Sequence, residues 1–313
     1  MPNWKILITD GLADSGHEVL KVGVDVSDQP GINTAALLDE IQSYDALIVR
    51  GRSQVTKEVI EAALNLKVVG RAGVGVDNID LAAAQSRKIT VLNAPLGSTI
   101  AVAELTIGLM LALVRHIARA DSAMKSGQWT KKELKGVELS EKTLGIIGMG
   151  RIGSAVGQRA SAFGMQILGF DPLISAEDIR TRGAESVSLN DLYAQSDFIS
   201  LHLPLSPETK NMLDGQAFAS MKKGVHLICA ARGGVIDELA LHASLESGQV
   251  RGAALDVFKD EPPGLTALIA HPNVVATPHI GAQTIEAQSR AAEHIAKEVL
   301  AALNEEPLTS KIV

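Results

Sequence analysis

The sequence predicts an α/β protein with two separate parallel sheets, each covered by helices. Three observations lead there. The chain has 313 residues, which is long for one compact core. Strand-like and helix-like segments alternate along nearly all of it, the pattern of parallel strands joined by helical crossovers. The alternation also starts twice, at the N-terminus and again at Thr143, on either side of a long apolar stretch.

In the front third, Lys5–Asp10, Val22–Val26, Asp45–Gly51, Leu66–Gly73 and Ile89–Pro95 read as short apolar strands. Asn33–Tyr44 and Thr56–Leu66 have helical spacing between them, with Thr56 placed to cap the second helix and Glu58 in its first turn. The stretch Ser98–Ala120 reads as a helix apolar almost all round. Its longest unbroken apolar run, Ile107–Val114, is far short of the roughly 20 residues a membrane span needs. Burial in a core or against another subunit is expected instead.

From Thr143 the strands Thr143–Gly150, Met165–Asp171, Asp197–Pro204, Gly224–Gly234, Arg251–Phe258 and Asn273–His279 follow. Helices alternate with them, including one near Asn190–Ala194 and one over Asp237–Gly248. The tail, Ala282–Pro307, has the spacing of a second long helix. It begins after the last strand of the second sheet and is free to return to the first. The expected domains are residues 1–96 with 284–313, a discontinuous unit, and 97–283 inserted within it.

The totals exclude some classes. The net charge is −7 with no block of like charge, which argues against a nucleic-acid surface. The single cysteine, Cys229, cannot form an internal disulfide; it reads as a small buried hydrophobe in a reducing compartment such as the cytoplasm. The first 16 residues have no cleavable apolar region and read as a first strand. No histidine or cysteine spacing suggests a metal site, and no G-x-S-x-G elbow suggests a serine hydrolase.

Gly148-Met149-Gly150-Arg151-Ile152-Gly153 is G-x-G-x-x-G, placed after an apolar strand and at the start of a helix. One glycine permits the tight turn, one lets backbone approach a pyrophosphate, and one lets helix pack on strand. The helix N-terminus supplies N–H groups and partial positive charge to phosphates. Asp171, 18 residues after Gly153, ends the next strand. A carboxylate there binds both ribose hydroxyls of NAD and repels a 2′-phosphate, so NAD is expected rather than NADP. His202 is expected on the nicotinamide side, and Ala230, Asp256 and Gly281 are added to the expected cofactor contacts. The fold expected is then two Rossmann-like or flavodoxin-like doubly wound domains with a cleft between them.

Three unlike polar residues lie where strands of the second sheet end: Arg232, Glu261 and His279. In open α/β sheets ligands sit beyond those ends. Oxidising a secondary alcohol with NAD needs a base for the hydroxyl proton and a cation for the developing carbonyl and any adjacent carboxylate. Histidine titrates near neutral pH, and a carboxylate beside it fixes its tautomer and stabilises the imidazolium. Arginine grips a carboxylate with two prongs.

Taken in order, Leu144–Gly153, Ser200–Thr209, Cys229–Glu238, Gly252–Pro263 and Thr277–Thr284 resemble the successive signatures of the D-isomer-specific 2-hydroxyacid dehydrogenases. The resemblance implies that His279, paired with Glu261, exchanges the proton of an anionic 2-hydroxy acid while Arg232 binds its carboxylate or carbonyl. It implies that the backbone of Gly73, Val74 and Gly75 donates to the substrate carboxylate, and that Arg50 and Arg71 add charge towards its anionic end. It implies further that Lys131 or Lys132 reaches a neighbouring subunit's site. A homodimer, or a dimer of dimers, formed through the helix near Ser98 is expected.

The chain also departs from the family. Cys229 stands where the family often has Asn, which removes a hydrogen bond from the Arg232 turn. Lys131 stands where close relatives have an arginine; lysine can bind an anionic group, but without arginine's fork. Many relatives carry a regulatory domain beyond the position of Val313, so no feedback through such a module is expected. A reductase of a smaller 2-oxo acid would share the same machinery. A nucleotide-sensing binding protein would share the fold.

Overall fold

The computed structural model describes residues 3–21 and 23–313; Met1, Pro2 and Val22, which fall in segments read above as the first two strands, lie outside the described residues. The chain divides into two compact units, Met1–Thr99 with Ala282–Val313, and Ile100–Gly281.

Among the described residues the first unit holds five parallel strands, β1 (Trp4–Ile8), β2 (Val24–Asp28), β3 (Ala46–Val49), β4 (Val68–Arg71) and β5 (Thr90–Leu92), in the order β2-β1-β3-β4-β5. Alternate residues feed two cores, as the pleat requires. Leu7, Leu47, Val49, Val69 and Val91 pack with Leu37, Ile41, Val59 and Ile60 of the intervening helices. Ile6, Ile8, Ile48, Val68 and Leu92 face the other way, onto Leu20 and onto Ile295, Val299 and Leu303 of the tail helix Ile285–Leu303. A sheet buried on both faces needs continuous apolar strands, and β3 is buried at all four positions.

Gly70 in β4 is required by this packing, since a Cβ there would fall 2.6 Å from Val299 Cγ2. The last residues add to the sheet edge. Leu92 and Lys311 form an antiparallel bridge, and the Ile312 N–H donates to Val91 O at 2.8 Å. Buried Glu298 fixes this tail, accepting from the backbone N–H and the hydroxyl of both Thr309 and Ser310.

Thr56 stands at the start of helix Lys57–Ala62, but its hydroxyl takes no helix N–H. It bonds the Glu58 carboxylate instead, which lowers that group's pKa.

The second unit holds seven parallel strands, β6 (Thr143–Ile147), β7 (Gln166–Phe170), β8 (Glu185–Ser186), β9 (Phe198–Leu201), β10 (Val225–Cys229), β11 (Val250–Leu255) and β12 (Val274–Ala276). Their order is β12-β11-β10-β9-β6-β7-β8. It reverses between β6 and β9, which opens a crevice beyond their C-terminal ends. The two-residue strand β8 is an addition to the sequence reading; nothing so short carries a period.

The apolar stretch read as one helix is two. Helix Thr99–Val114 ends where His116 adopts φ +54°, and helix Ile117–Lys125 leaves at a bend of 65°. A left-handed residue cannot continue a right-handed helix. Among the described residues no single helix is long and apolar enough to cross a membrane.

Candidate active site

The strand register of the second unit lines up one row across the sheet: Phe170, Ile147, Leu201, Cys229, Leu255 and Ala276. The next residue on each strand is Asp171, Gly148, His202, Ala230, Asp256 and Thr277. Five residues expected at a cofactor thus leave the sheet along a single edge.

Gly148 has φ +95°, and a Cβ there would fall 2.5 Å from His202 O, so the turn after β6 lies directly against the end of β9. At Gly153 a Cβ would fall 2.1 Å from Gly148 O. Only glycine lets helix Arg151–Ala162 start this close to the strand. Gly150 differs: nothing lies within 4 Å of its Cβ position. Open space over a helix N-terminus fits a pyrophosphate.

Asp171 shapes this turn. Its Oδ2 accepts from the Met149 N–H at 2.9 Å and its Oδ1 from the Leu173 N–H at 2.9 Å. Arg182 donates to Met149 O, so the peptide groups of the buried residue between the two glycines are gripped on both sides. The donor set, the open glycine and the acid together fit NAD.

His202 Nε2 lies 2.9 Å from Ser200 Oγ, while Nδ1 is buried without a partner. Burial pushes its pKa down to about 4, so the ring is neutral at pH 7.

Arg232 follows β10. Its Nη1 donates to Ala231 O at 2.7 Å. Cys229 is buried, its Sγ donates to Arg232 O at 3.9 Å, and burial pushes the thiol up to about 11. The turn therefore keeps a side-chain bond at this position, in the weaker form a thiol makes. Gly233 presses the turn against the loop after β11, where a Cβ would fall 1.7 Å from Phe258 O. That same loop carries Glu261, whose Oε1 accepts from the Phe258 N–H at 3.0 Å.

Glu261 Oε2 lies 2.7 Å from His279 Nδ1. With the proton on Nδ1 donated to the carboxylate, Nε2 is left as an acceptor. His279 is half exposed and sits at φ +52°, an unusual place for a non-glycine residue. Asp256, 1% exposed, holds it there. Its Oδ1 accepts from Thr277 Oγ1 at 2.6 Å and from the Ile280 N–H at 2.8 Å, and its Oδ2 from the Gly281 N–H at 2.8 Å. The carboxylate expected at the cofactor thus braces both sides of His279, and Gly281 is one of its partners.

In the first unit, the Arg50 N–H donates to Asp10 and its Nη2 to Gln283 Oε1 at 3.3 Å. The Arg71 guanidinium occupies the place a side chain would take at Gly73, where a Cβ would fall 1.3 Å from Arg71 Nη1. In the loop of Gly73, Val74 and Gly75, Gly73 O accepts from the Ala94 N–H at 2.8 Å and Val74 O from Asn93 Nδ2 at 2.7 Å, while the Gly73 N–H, expected at the substrate carboxylate, donates to Arg71 O at 2.7 Å. Lys131 stands exposed on the single turn Lys131–Glu133. Asp10, Asn93 and Arg182 are not among the residues the sequence reading singles out; each acts on distant backbone, which no local motif announces.

Residues 107–281 match the family model described as "D-isomer specific 2-hydroxyacid dehydrogenase, NAD binding domain". The D-3-phosphoglycerate dehydrogenase of Methanocaldococcus jannaschii is 48% identical over 296 residues, covering 94% of this chain. The chain spans 56% of that relative's length. A crystal structure of a glyoxylate reductase from Paecilomyes thermophila is 32% identical, with a TM-score of 0.90 and coverage of 100% of this chain and 99% of that one. The D-lactate dehydrogenase of Aquifex aeolicus, crystallised with NAD and lactic acid, is 31% identical with a TM-score of 0.83 and covers 96% of each chain. The chain belongs to the D-isomer specific 2-hydroxyacid dehydrogenases, and its second unit carries their NAD-binding domain.

Proposed function

We propose that the protein oxidises D-3-phosphoglycerate to 3-phosphohydroxypyruvate, the step that opens the phosphorylated route to serine. One observation carries the chemistry: the His279–Glu261 pair at 2.7 Å, with Glu261 on the loop that the Arg232 turn abuts. NAD, bound at the glycine turn and Asp171, supplies the two-electron acceptor for the substrate's C2. His279 Nε2 takes the hydroxyl proton, and Glu261 stabilises the imidazolium that results. Arg232 holds the carboxylate and the developing carbonyl oxygen. The Gly73–Gly75 backbone is assigned to the substrate's carboxylate beside Arg232, and Arg50, Arg71 and Lys131 to its phosphate end.

The substrate choice is supported by the front half. Ala46–Thr56, Leu66–Ala84, Val91–Pro95, Ala101–Leu111 and Met124–Leu139 resemble the corresponding segments of D-3-phosphoglycerate dehydrogenases, and the chain is 48% identical to the Methanocaldococcus jannaschii relative of that name. The likeness to a glyoxylate reductase favours a second reading, reduction of a small 2-oxo acid by the same residues. An NADH absorbance assay over 3-phosphoglycerate, glycerate, D-lactate and glyoxylate decides between them. His279→Ala is expected to lower turnover roughly 100-fold or more with NAD binding intact; unchanged turnover removes the proton-transfer role. A homodimer is part of the reading, supported by exposed Ile100, Ile117, Met124 and Trp129 on and after the apolar helix. Light scattering on the eluted protein measures it.

A further inference from the structure

We propose that Asp10 is the positioning residue that aims Arg50 at the anionic end of the substrate. This rests on the assignment of Arg50 to that end. Asp10 lies two residues past β1, and Arg50 begins the loop that leaves β3. These two strands are neighbours at the point where the strand order of the first sheet reverses.

The Asp10 side chain is 4% exposed and meets every part of the loop over residues 50–53 except Gly51. Its Oδ2 accepts from the Arg50 N–H at 2.7 Å and from the Ser53 N–H at 3.1 Å. Its Oδ1 accepts from Ser53 Oγ at 2.6 Å and from Arg52 Nε and Nη2, each at 3.2 Å. From the other side, Asn78 Nδ2 donates to Arg50 O at 3.1 Å and to Ser53 O at 2.7 Å. The backbone of this loop is thus held by its N–H groups and by its carbonyls.

The two arginines of the loop take different parts. Arg52 turns back, with Nη2 donating to Thr9 O at 2.7 Å as well as pairing with Asp10. Arg50 points its guanidinium elsewhere, to Gln283 Oε1 at the start of the tail helix segment. An amide-linked carbonyl is a weak, replaceable partner for a guanidinium; a doubly charged anion is a far stronger one. A long arginine side chain already spreads its guanidinium over four torsions, and a mobile Cα would add to that spread, so a fixed Cα makes it a better anion ligand. Asp10 fixes that Cα. Only a carboxylate fills the role, since it presents acceptors on both oxygens, whereas an amide nitrogen faced by the Arg50 and Ser53 N–H groups puts donor against donor.

The test is a double-variant cycle in the intact protein. Asp10→Asn is expected to raise KM for 3-phosphoglycerate roughly 10-fold, the weight of one hydrogen-bonded charge. KM for NAD and kcat stay within about 2-fold, and KM for glycerate, which lacks the phosphate, rises less than that for 3-phosphoglycerate. Arg50→Ala raises the same KM, and the double variant D10N/R50A is no worse than Arg50→Ala alone, because Asp10 acts through Arg50. An unchanged KM in Asp10→Asn, or effects that multiply in the double variant, overturns the proposal. Should Asp10→Asn fail to fold, Ser53→Ala removes one arm of the same carboxylate, and its KM must rise in the same direction; an unchanged KM overturns the proposal equally. The unaltered protein's substrate panel tests the assigned reaction separately. If another acid is preferred, that reading falls, and the cycle run on the preferred acid still decides the role of Asp10.

Discussion

Two strand ends rich in glycine, one in each unit, use the missing side chain in opposite ways. Beyond β6, Gly148 and Gly153 admit backbone: each would otherwise thrust a Cβ onto a carbonyl oxygen, 2.5 Å from His202 O and 2.1 Å from Gly148 O. Beyond β4, Gly73 admits a side chain, the guanidinium of Arg71 at the strand's last position. A backbone that must pass backbone fixes glycine at a set spacing, so the first turn has a motif. A glycine that shelters an arginine needs only a neighbour of the right length, and no motif records it. The first arrangement is rigid because peptide groups cannot step aside. The second is adjustable because an arginine can.

Substitution at the two sites sharpens that contrast. Gly153→Ala should have the largest effect. The new Cβ meets an immovable oxygen, the turn opens, and NAD affinity falls by roughly 100-fold, the usual result of displacing a binding group by about 1 Å. Calorimetric titration with NAD measures it, and unaltered affinity would show that the helix start can yield. Gly73→Ala should do less and do it elsewhere. Arg71 is pushed out, KM for the 2-hydroxy acid rises by roughly 10-fold, and NAD affinity stays where it was. A matching loss of NAD affinity would end the distinction between the two sites.

Acid should separate the units by a smaller amount. The second unit buries two histidines, His202 and His226, whose pKa burial pushes down from 6.5 to about 4. Unfolded, they take up protons at pH 6.5; folded, they do not until about pH 4, so stability falls as pH drops through that window. Between pH 7 and pH 5 each histidine contributes about 1–2 kcal/mol to that loss. In the first unit, burial raises the Asp10 and Glu298 carboxyls, but hydrogen bonds from Ser53, Arg50 and Arg52 and from Thr309 and Ser310 outweigh it, and both lie below the ordinary carboxylate range. Their contribution is present above the unfolded values of 3.8 and 4.5 and is lost only as pH falls through the lowered ones. Calorimetric unfolding between pH 7 and pH 5 should therefore weaken the second unit first, and His226→Gln should flatten the slope.

The sequence made the parallel sheets legible because apolar strands and amphipathic helices alternate at readable periods. It made the edge of the second sheet legible because polar residues interrupt apolar runs where strands stop: Asp171, His202 and Asp256 each stand one residue past a strand. It did not disclose the break at His116, since a histidine in a left-handed turn looks like any helical residue. Nor did it disclose that the Thr56 hydroxyl bonds a side chain rather than the helix backbone, a choice between two acceptor geometries within one turn. Asp10 and Arg50, 40 positions apart, meet only because β1 and β3 pair out of sequence order.

The packing of Ile295 and Val299 against Gly70 also has a consequence in time. A ribosome emits the chain from the N-terminus, and residues 100–281 form a continuous stretch that can complete its core as it emerges. The unit begun first must wait. One face of its sheet, which Leu20 covers only in part, is not closed until the stretch Ile285–Leu303 is translated, so in the cell the molecule is expected to be finished from its middle outwards.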